Sequence, residues 1–316
     1  MADIVSKELS FESCTEHERI FVRIIGPSDE ASIKGIVQFS HGMAEHSLLY
    51  VEVGRFLAEK GFLVAVNDHL GHGKSVSTGG AYGYFGRGGC QNMVRDMHKL
   101  YEIMHGTYPE LSYILVGHSM GSFLARSYTV QYGKELAAAV YLGTGCGPAR
   151  AVLELQKRFA DGVVKKKGAL AHDPLFPRLS TERFNKAFAP NRTDADWLSR
   201  DEGEVDRYVN DPLCGFPLTV SGYRDVLYLQ SEINGRKWYE SVPDIPILIM
   251  SGDQDPVGDF GKGVKKVADG LRKTGHDVKL ILYPGARHVV LCETNKEEVY
   301  QDLVQFIDSA VSGTIE

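Results

Sequence analysis

The 316-residue sequence contains no run of about 18 apolar residues, so nothing in it reads as a membrane span. Its opening stretch, MADIVSKELSFES, lacks an apolar core preceded by basic residues and does not read as a signal peptide. The five cysteines (Cys14, Cys90, Cys146, Cys214 and Cys292) are scattered, odd in number and never spaced C-x-x-C. That spacing argues against a disulfide framework and a thiolate zinc site, and it fits a reducing, cytoplasmic setting. Basic charge is scarce as well. The formal net charge is −6, and the single basic triplet is Lys165-Lys166-Lys167, which reads as a solvated helix end. No nucleic-acid partner is therefore expected. His41, His46, His69 and His72 gather within a short stretch, yet no H-E-x-x-H is present and no metal is expected. The segment DHLGHGKS has Asp68 where a phosphate loop requires glycine, so it is read as a structural turn with Asp68 bonding backbone. No cofactor is expected. There is no internal repeat and no low-complexity tract.

What is present is the composition of a soluble globular protein, 43% hydrophobic and 24% charged. The length suits one large domain or a domain with an insertion. RIFVRII (19–25) and GIVQFS (35–40) read as strands. YVEVGRFLAEKG follows as a helix, with Val53, Phe56 and Leu57 on one face and Gly61 as its stop. FLVAV (62–66), YILVG (113–117) and AAAVYL (137–142) are apolar runs suited to buried strands. Met93, Met97, Leu100, Tyr101 and Met104 recur at helical spacing, and SFLARSYTVQY reads as another helix. The rhythm resumes with IPILIM (245–250), a helix around 264–271, VKLILY (278–283) and a last helix bearing Val299, Leu303, Phe306 and Ile307. Alternating strands and helices predict an α/β fold with a mostly parallel sheet flanked by helices on both faces. Between residues 144 and 240 the rhythm breaks. The simplest organisation is a core formed by 1–143 and 241–316, with 144–240 as an inserted, mainly helical cap. One cap helix is legible, ARAVLELQKRFADGVV, with Val152, Leu155 and Phe159 along one side. That stripe reads as cap core or, alternatively, as a wall contacting an acyl chain.

The chemistry centres on LVGHSMGSF (115–123), which holds G-x-S-x-G. With 34 glycines in the chain the pentapeptide can arise by chance, so context decides. It follows a buried strand and opens a helix, the setting of a nucleophile elbow. Gly117 and Gly121 are then required because a side chain at either would collide with the crossing strand or helix. A serine hydroxyl needs a base to take its proton and an acid to orient that base. On sheets bearing this elbow the chain order is Ser, acid, His. SGDQDPVG offers Asp253 and Asp255 directly after a strand, and GARHVVL offers His288 after the next. The oxyanion needs two backbone N–H donors, which fall to Met120 and to Met43 in the loop HGMAEHS.

These motifs resemble the α/β-hydrolases, and within them the monoacylglycerol lipase and lysophospholipase-like group. HGMAEHS, DHLGHGKS, GHSMG, GDQDPV and GARH carry the resemblance across nearly the whole chain outside the cap. It implies Ser119 as nucleophile, His288 as base, and Asp255 as acid, because Asp255 stands third after Gly252. It also implies Met43 and Met120 as oxyanion donors, no cofactor, a lipid-like ester substrate roofed by the cap, and transient membrane-surface contact through that cap. Leu49 and Leu70 stand where many relatives carry arginine near the pocket mouth, a change that bears on substrate detail alone.

Other readings stay open. Asp253 is the alternative acid, or a loop residue accepting backbone N–H groups. The glycine-rich STGGAYGYFGRGG, with glycines from 79 to 89, reads as a flexible loop before a helix or, alternatively, as a ligand-binding loop. TDADWLSRDEGEVDRY (193–208) reads as a solvated acidic helix face. If its carboxylates instead held a substrate amine, the chain would be an aminopeptidase or amidase on the same triad. A halide or epoxide hydrolase would need aspartate at Ser119. A non-catalytic binding protein would not need the triad.

Overall fold

The computed structural model describes residues 3–15 and 18–314. Eight strands form one sheet in the order β1-β2-β4-β3-β5-β6-β7-β8. They are β1 (Ile4–Glu12), β2 (Arg19–Pro27), β3 (Gly35–Ser40), β4 (Phe62–Asn67), β5 (Ser112–His118), β6 (Ala138–Leu142), β7 (Ile247–Gly252) and β8 (Val278–Tyr283). Pairings β1–β2 and β2–β4 are antiparallel and the rest are parallel, as the alternating pattern predicts. The strand β1 was not read from sequence. It is an edge strand with only Phe11 buried, and Lys7 interrupts the alternation of Val5, Leu9 and Phe11 on one face.

Side chains of the central strands alternate between the two faces of the sheet. On β5, Tyr113 and Leu115 join one core while Ile114 and Val116 join the other. The first core is closed by α2 (Cys90–Thr107), α3 (Met120–Tyr132) and α10 (Lys262–Lys273), with Met93, Met97, Leu124, Tyr128, Val264 and Leu271 buried. The second is closed by α1 (Val51–Glu59) and α11 (Lys296–Ser312) through Val53, Leu57, Leu303 and Ile307. Gly61 ends the first helix at φ +91°, where a side chain would be strained.

Between β6 and β7 the chain forms α4 (Arg150–Lys167), α5 (Leu175–Leu179), α6 (Thr181–Asn185), α7 (Glu202–Asn210), α8 (Val220–Ile233) and α9 (Arg236–Ser241). Lys165, Lys166 and Lys167 are exposed in the last turn of α4. This helical insertion, the segment expected from sequence to be a cap, is tied to the sheet and its helices at defined points. Arg126 on α3 is wholly buried and donates to the Gly145 carbonyl (2.8 Å) and the Ile233 carbonyl (2.6 Å). Its guanidinium lies 4.3 Å from the Trp238 ring, and the indole N–H donates to the Arg126 carbonyl. Thr219 caps α8 and also donates to the Gly83 carbonyl (2.9 Å). The glycine-rich loop is therefore a docking platform for the cap rather than a free flexible loop. A Cβ on Gly83 would overlap Leu218, and one on Gly222 would overlap the Gly83 carbonyl.

Candidate active site

The parallel register puts the C-terminal ends of β3, β5, β7 and β8 at one edge of the sheet, where ligands bind in open α/β folds. Ser40 pairs with Gly117 and His118 with Leu142, so the loops after β3 and β5 lie side by side. Ser119 follows β5 at φ +53°, ψ −121°, and α3 starts at the next residue. A non-glycine residue at positive φ is strained and persists only where its surroundings hold it there. Ser119 is held from both sides. Its N–H donates to the Leu142 carbonyl (3.0 Å), and its own carbonyl accepts from Ser122 N–H (2.9 Å). A Cβ on Gly117 would overlap the Gly121 carbonyl, and one on Gly121 would overlap the Ser40 carbonyl. The two glycines are thus steric requirements, as the elbow reading expects.

His288 follows β8 and is 1% exposed. Its Nδ1 donates to Asp255 Oδ1 at 2.9 Å, while Nε2 is buried with no hydrogen-bond partner among the described residues. Asp255 is fully buried after β7; Oδ1 also accepts Val257 N–H (2.8 Å) and Oδ2 accepts the Ser251 hydroxyl (3.2 Å). Asp253 is turned elsewhere and accepts the Gly285 N–H (2.8 Å), the loop role foreseen as its alternative. Met43 and Met120 flank Ser119. Met120 opens α3, so its N–H has no intrahelical acceptor. Among the described residues no hydrogen bond engages the N–H of Met43 or Met120.

The loop bearing Met43 is built on buried polar groups. Glu45, 5% exposed, accepts the Gly42 N–H, the Tyr50 hydroxyl (2.6 Å) and His118 Nδ1 (3.1 Å). Burial works to raise the Glu45 carboxyl, but His118 and these donors hold it down at about 2. His41 Nδ1 donates to the Gly42 carbonyl (2.7 Å), and its Nε2 accepts the His69 N–H (2.9 Å). Burial lowers His41 to about 4 and His72 to about 3, so both rings are neutral scaffolding. Asp68 does bond backbone, taking the N–H groups of Ser47 (2.7 Å) and Lys74 (2.7 Å). His46 departs from its three neighbours. Its Nε2 bonds Asp211 Oδ2 of the cap at 3.0 Å, and Cys214 brings a third potential metal ligand within 4.8 Å. The hydrogen bond accounts for the placing of that pair.

A cavity of about 690 Å³ opens over Ser119 and His288 and is lined by Gly42, Met43, Glu45 and His118 from the core. Cap residues complete it. Pro177, Trp197, Leu198, Tyr208, Phe216 and Tyr223 form an apolar wall, and Glu182, Asn185, Lys186, Asn191 and Asp194 a polar one. Val152, Leu155 and Phe159 do not line the cavity and are 47%, 69% and 46% exposed. They form neither the cap core nor the cavity wall: α4 packs through the neighbouring face of Leu153 and Ala160, and of the three Phe159 meets the buried Phe176 ring at 6.1 Å. Leu70 is buried in the core and Leu49 is partly buried; neither reaches the cavity. The acidic run also differs from its reading. Only 202–208 of it is helical, and Ala195, Asp196, Trp197, Leu198 and Ser199 are buried. Trp197 stacks on His288 with ring centroids 4.9 Å apart. Sequence reading assigned no role to Glu45, Asp211 or Trp197. A large aromatic inside a charged run, in a chain with two tryptophans, was the available signal for the last.

The sheet order, the strained serine between strand and helix, and the helices on both faces are those of an α/β-hydrolase. The family described as "Serine aminopeptidase, S33" matches residues 31–295, and the chain belongs to it. The monoacylglycerol lipase of Mycolicibacterium smegmatis is 30% identical over 87% of this chain and 89% of its own length. The human monoglyceride lipase is 29% identical over 89% of this chain and 85% of its own. Among solved structures, a thermostable carboxyl esterase from Bacillus coagulans, in complex with glycerol, superposes with TM-score 0.90 at 34% identity, covering 98% and 99% of the two chains.

Proposed function

We propose that this carboxylic ester hydrolase cleaves monoacylglycerol- or lysophospholipid-like esters through an acyl-enzyme on Ser119. The observation that carries the reading is the buried His288 imidazole. It is bonded to Asp255 at one nitrogen and free at the other, beside a serine held at φ +53° in the same cavity. Ser119 Oγ attacks the ester carbonyl as His288 Nε2 takes its proton. Asp255 fixes the imidazole tautomer and faces the imidazolium that forms. The N–H groups of Met43 and Met120 receive the oxyanion. Collapse of the tetrahedral intermediate expels the alcohol, protonated by His288. A water, deprotonated by the same nitrogen, then releases the acid and restores the serine. No cofactor enters this sequence.

The relatives' names and the apolar wall support a substrate with an acyl chain, and residues 144–240 are taken as the cap that selects it. Exposed Val152, Leu155, Phe159, Leu175 and Leu179 on the cap support transient contact with a lipid surface, which complements an apolar substrate. No described helix is long and apolar enough to cross a membrane. The free thiols support the reducing, cytoplasmic location proposed from sequence. The amidase alternative rests on cap carboxylates near the site. Of those in 193–208, Asp194 alone lines the cavity, whereas Asp196 is engaged by Arg192 and Thr193.

A fluorophosphonate probe tests the nucleophile: folded wild type is labelled at Ser119 and Ser119→Ala is not. Ester turnover in that variant falls by about 10⁴-fold or more. Unlabelled wild type, or an active Ser119→Ala, would overturn the mechanism. A panel of monoacylglycerols, lysophospholipids, short aryl esters and aminoacyl amides separates the substrate readings; preference for the amides would favour the alternative.

A further inference from the structure

The cap segment 196–199 is fastened to the histidine loop along its length. Trp197 and Leu198 carbonyls accept the N–H groups of His288 (3.4 Å) and Val289 (2.8 Å). Arg287 donates to the carbonyls of Asp196 and Ser199, and the Ser199 hydroxyl donates to the Cys292 carbonyl (2.7 Å). The adjoining Arg200 bonds the buried Glu293 carboxylate at 2.8 Å. The Trp197 ring also packs against Phe184, with centroids 5.2 Å apart, and its backbone N–H donates to Asn185 Oδ1. Its indole face then lies against the His288 ring at 4.9 Å with a 29° interplanar angle.

We propose that Trp197 is a positioning residue for the catalytic base, holding the His288 imidazole and stabilising it once it carries a proton. This rests on the reading of His288 as the base. The indole face carries negative quadrupolar potential, and a cation stacked on it in a water-poor site is attracted. The imidazole gains a proton from Ser119 Oγ as that oxygen attacks the ester carbonyl, so the stack favours the later, cationic state. Such a differential interaction raises the rate of the chemical step. Other groups also face the imidazole. Asp255 is on its edge, His118 tilts against it at 5.0 Å with Glu45 behind, and Tyr208 and Cys214 line the same cavity. Each comes from an element other than 196–199, so replacing Trp197 leaves them in place. The cap thus takes part in acid–base chemistry as well as in enclosing substrate.

The test compares Trp197→Leu, Trp197→Phe and a chain with a ring-fluorinated tryptophan placed at position 197. Fluorination keeps the shape and withdraws charge from the ring face. For a short aryl ester, kcat/KM should fall about tenfold in the Leu variant and about threefold in the Phe variant. The acid limb of the kcat/KM–pH profile should move to lower pH in the Leu and fluorinated chains. A fixed acid limb in the fluorinated chain, or equal losses in the Leu and Phe variants, overturns the proposal and leaves Trp197 as packing alone. Should the Leu variant fail to fold, the fluorinated chain decides by itself. Failure of fluorophosphonate labelling in wild type would instead sink the reading of the triad, so the two failures are distinguishable.

Discussion

The loops at the sheet edge and the cap above them solve different problems with different materials. The core side of the cavity is backbone held by buried polar groups: Glu45 under Gly42, His41 on the Gly42 carbonyl, and glycines packed against carbonyls at 117 and 121. Very little there can shift without leaving a buried donor or acceptor unpaired, which is costly. The cap is fastened at Arg126, at Thr219 and along 196–199, yet its outer helices expose Leu155, Phe159 and Leu179. The proposed chemistry therefore draws on the over-determined loops and the pinned segment 196–199, and the proposed substrate selection on the less constrained remainder of 144–240.

The sharpest way to break this comparison is to exchange neighbouring acids. Asp255→Asn should lower kcat by about 10⁴-fold, because the amide no longer holds the imidazole in the correct tautomer. Asp253→Asn, two residues away, should leave kcat within about twofold, since it disturbs two loop hydrogen bonds, from Gly285 and Gln254. Comparable losses in the two would remove the distinction between the acids.

Glu45 tests whether the core scaffold matters as argued. Its folded-state carboxyl is depressed from 4.5 to about 2, so its contribution is full above about pH 4.5 and is lost as pH falls toward 2. By linkage that contribution is about 3 kcal/mol. Glu45→Gln should flatten the stability–pH curve in that window and lower kcat at neutral pH by loosening the Met43 loop. An unaltered slope in denaturant titrations at pH 2.5–4.5 would refute it.

The smallest effect belongs to the cap surface. Replacing Val152, Leu155 and Phe159 with serine should reduce turnover of vesicle-borne monoacylglycerol by roughly three- to tenfold, from lost apolar contact with lipid. Turnover of a soluble aryl ester should stay unchanged, because none of the three lines the cavity. Equal losses on both substrates would argue for a folding defect instead.

How much of this was legible follows the same division. Buried parallel strands announce themselves as apolar runs, and the elbow carries its glycines in the sequence, so the core order and the placing of Ser119 and His288 after strands could be read directly, while Asp255 was preferred to Asp253 only through the family resemblance. The edge strand β1 was harder to see, since Lys7 interrupts the Val5, Leu9 and Phe11 face and the strand is mostly exposed. On α4 the visible stripe misled, because the helix packs through Leu153 and Ala160 while its larger apolar residues stay outside. Trp197 was hidden by composition. Aspartates and arginines surround it in the sequence, but their polar groups are consumed in pinning the segment beneath them.

The backbone of Ser119 has one further consequence. Positive φ at a residue with a Cβ costs on the order of 1–3 kcal/mol, and glycine would not incur most of it. Selection for thermal robustness alone would therefore tend to erase the hydroxyl. Under the proposed mechanism position 119 gives up endurance for reactivity, and stabilising changes are to be sought elsewhere in the chain.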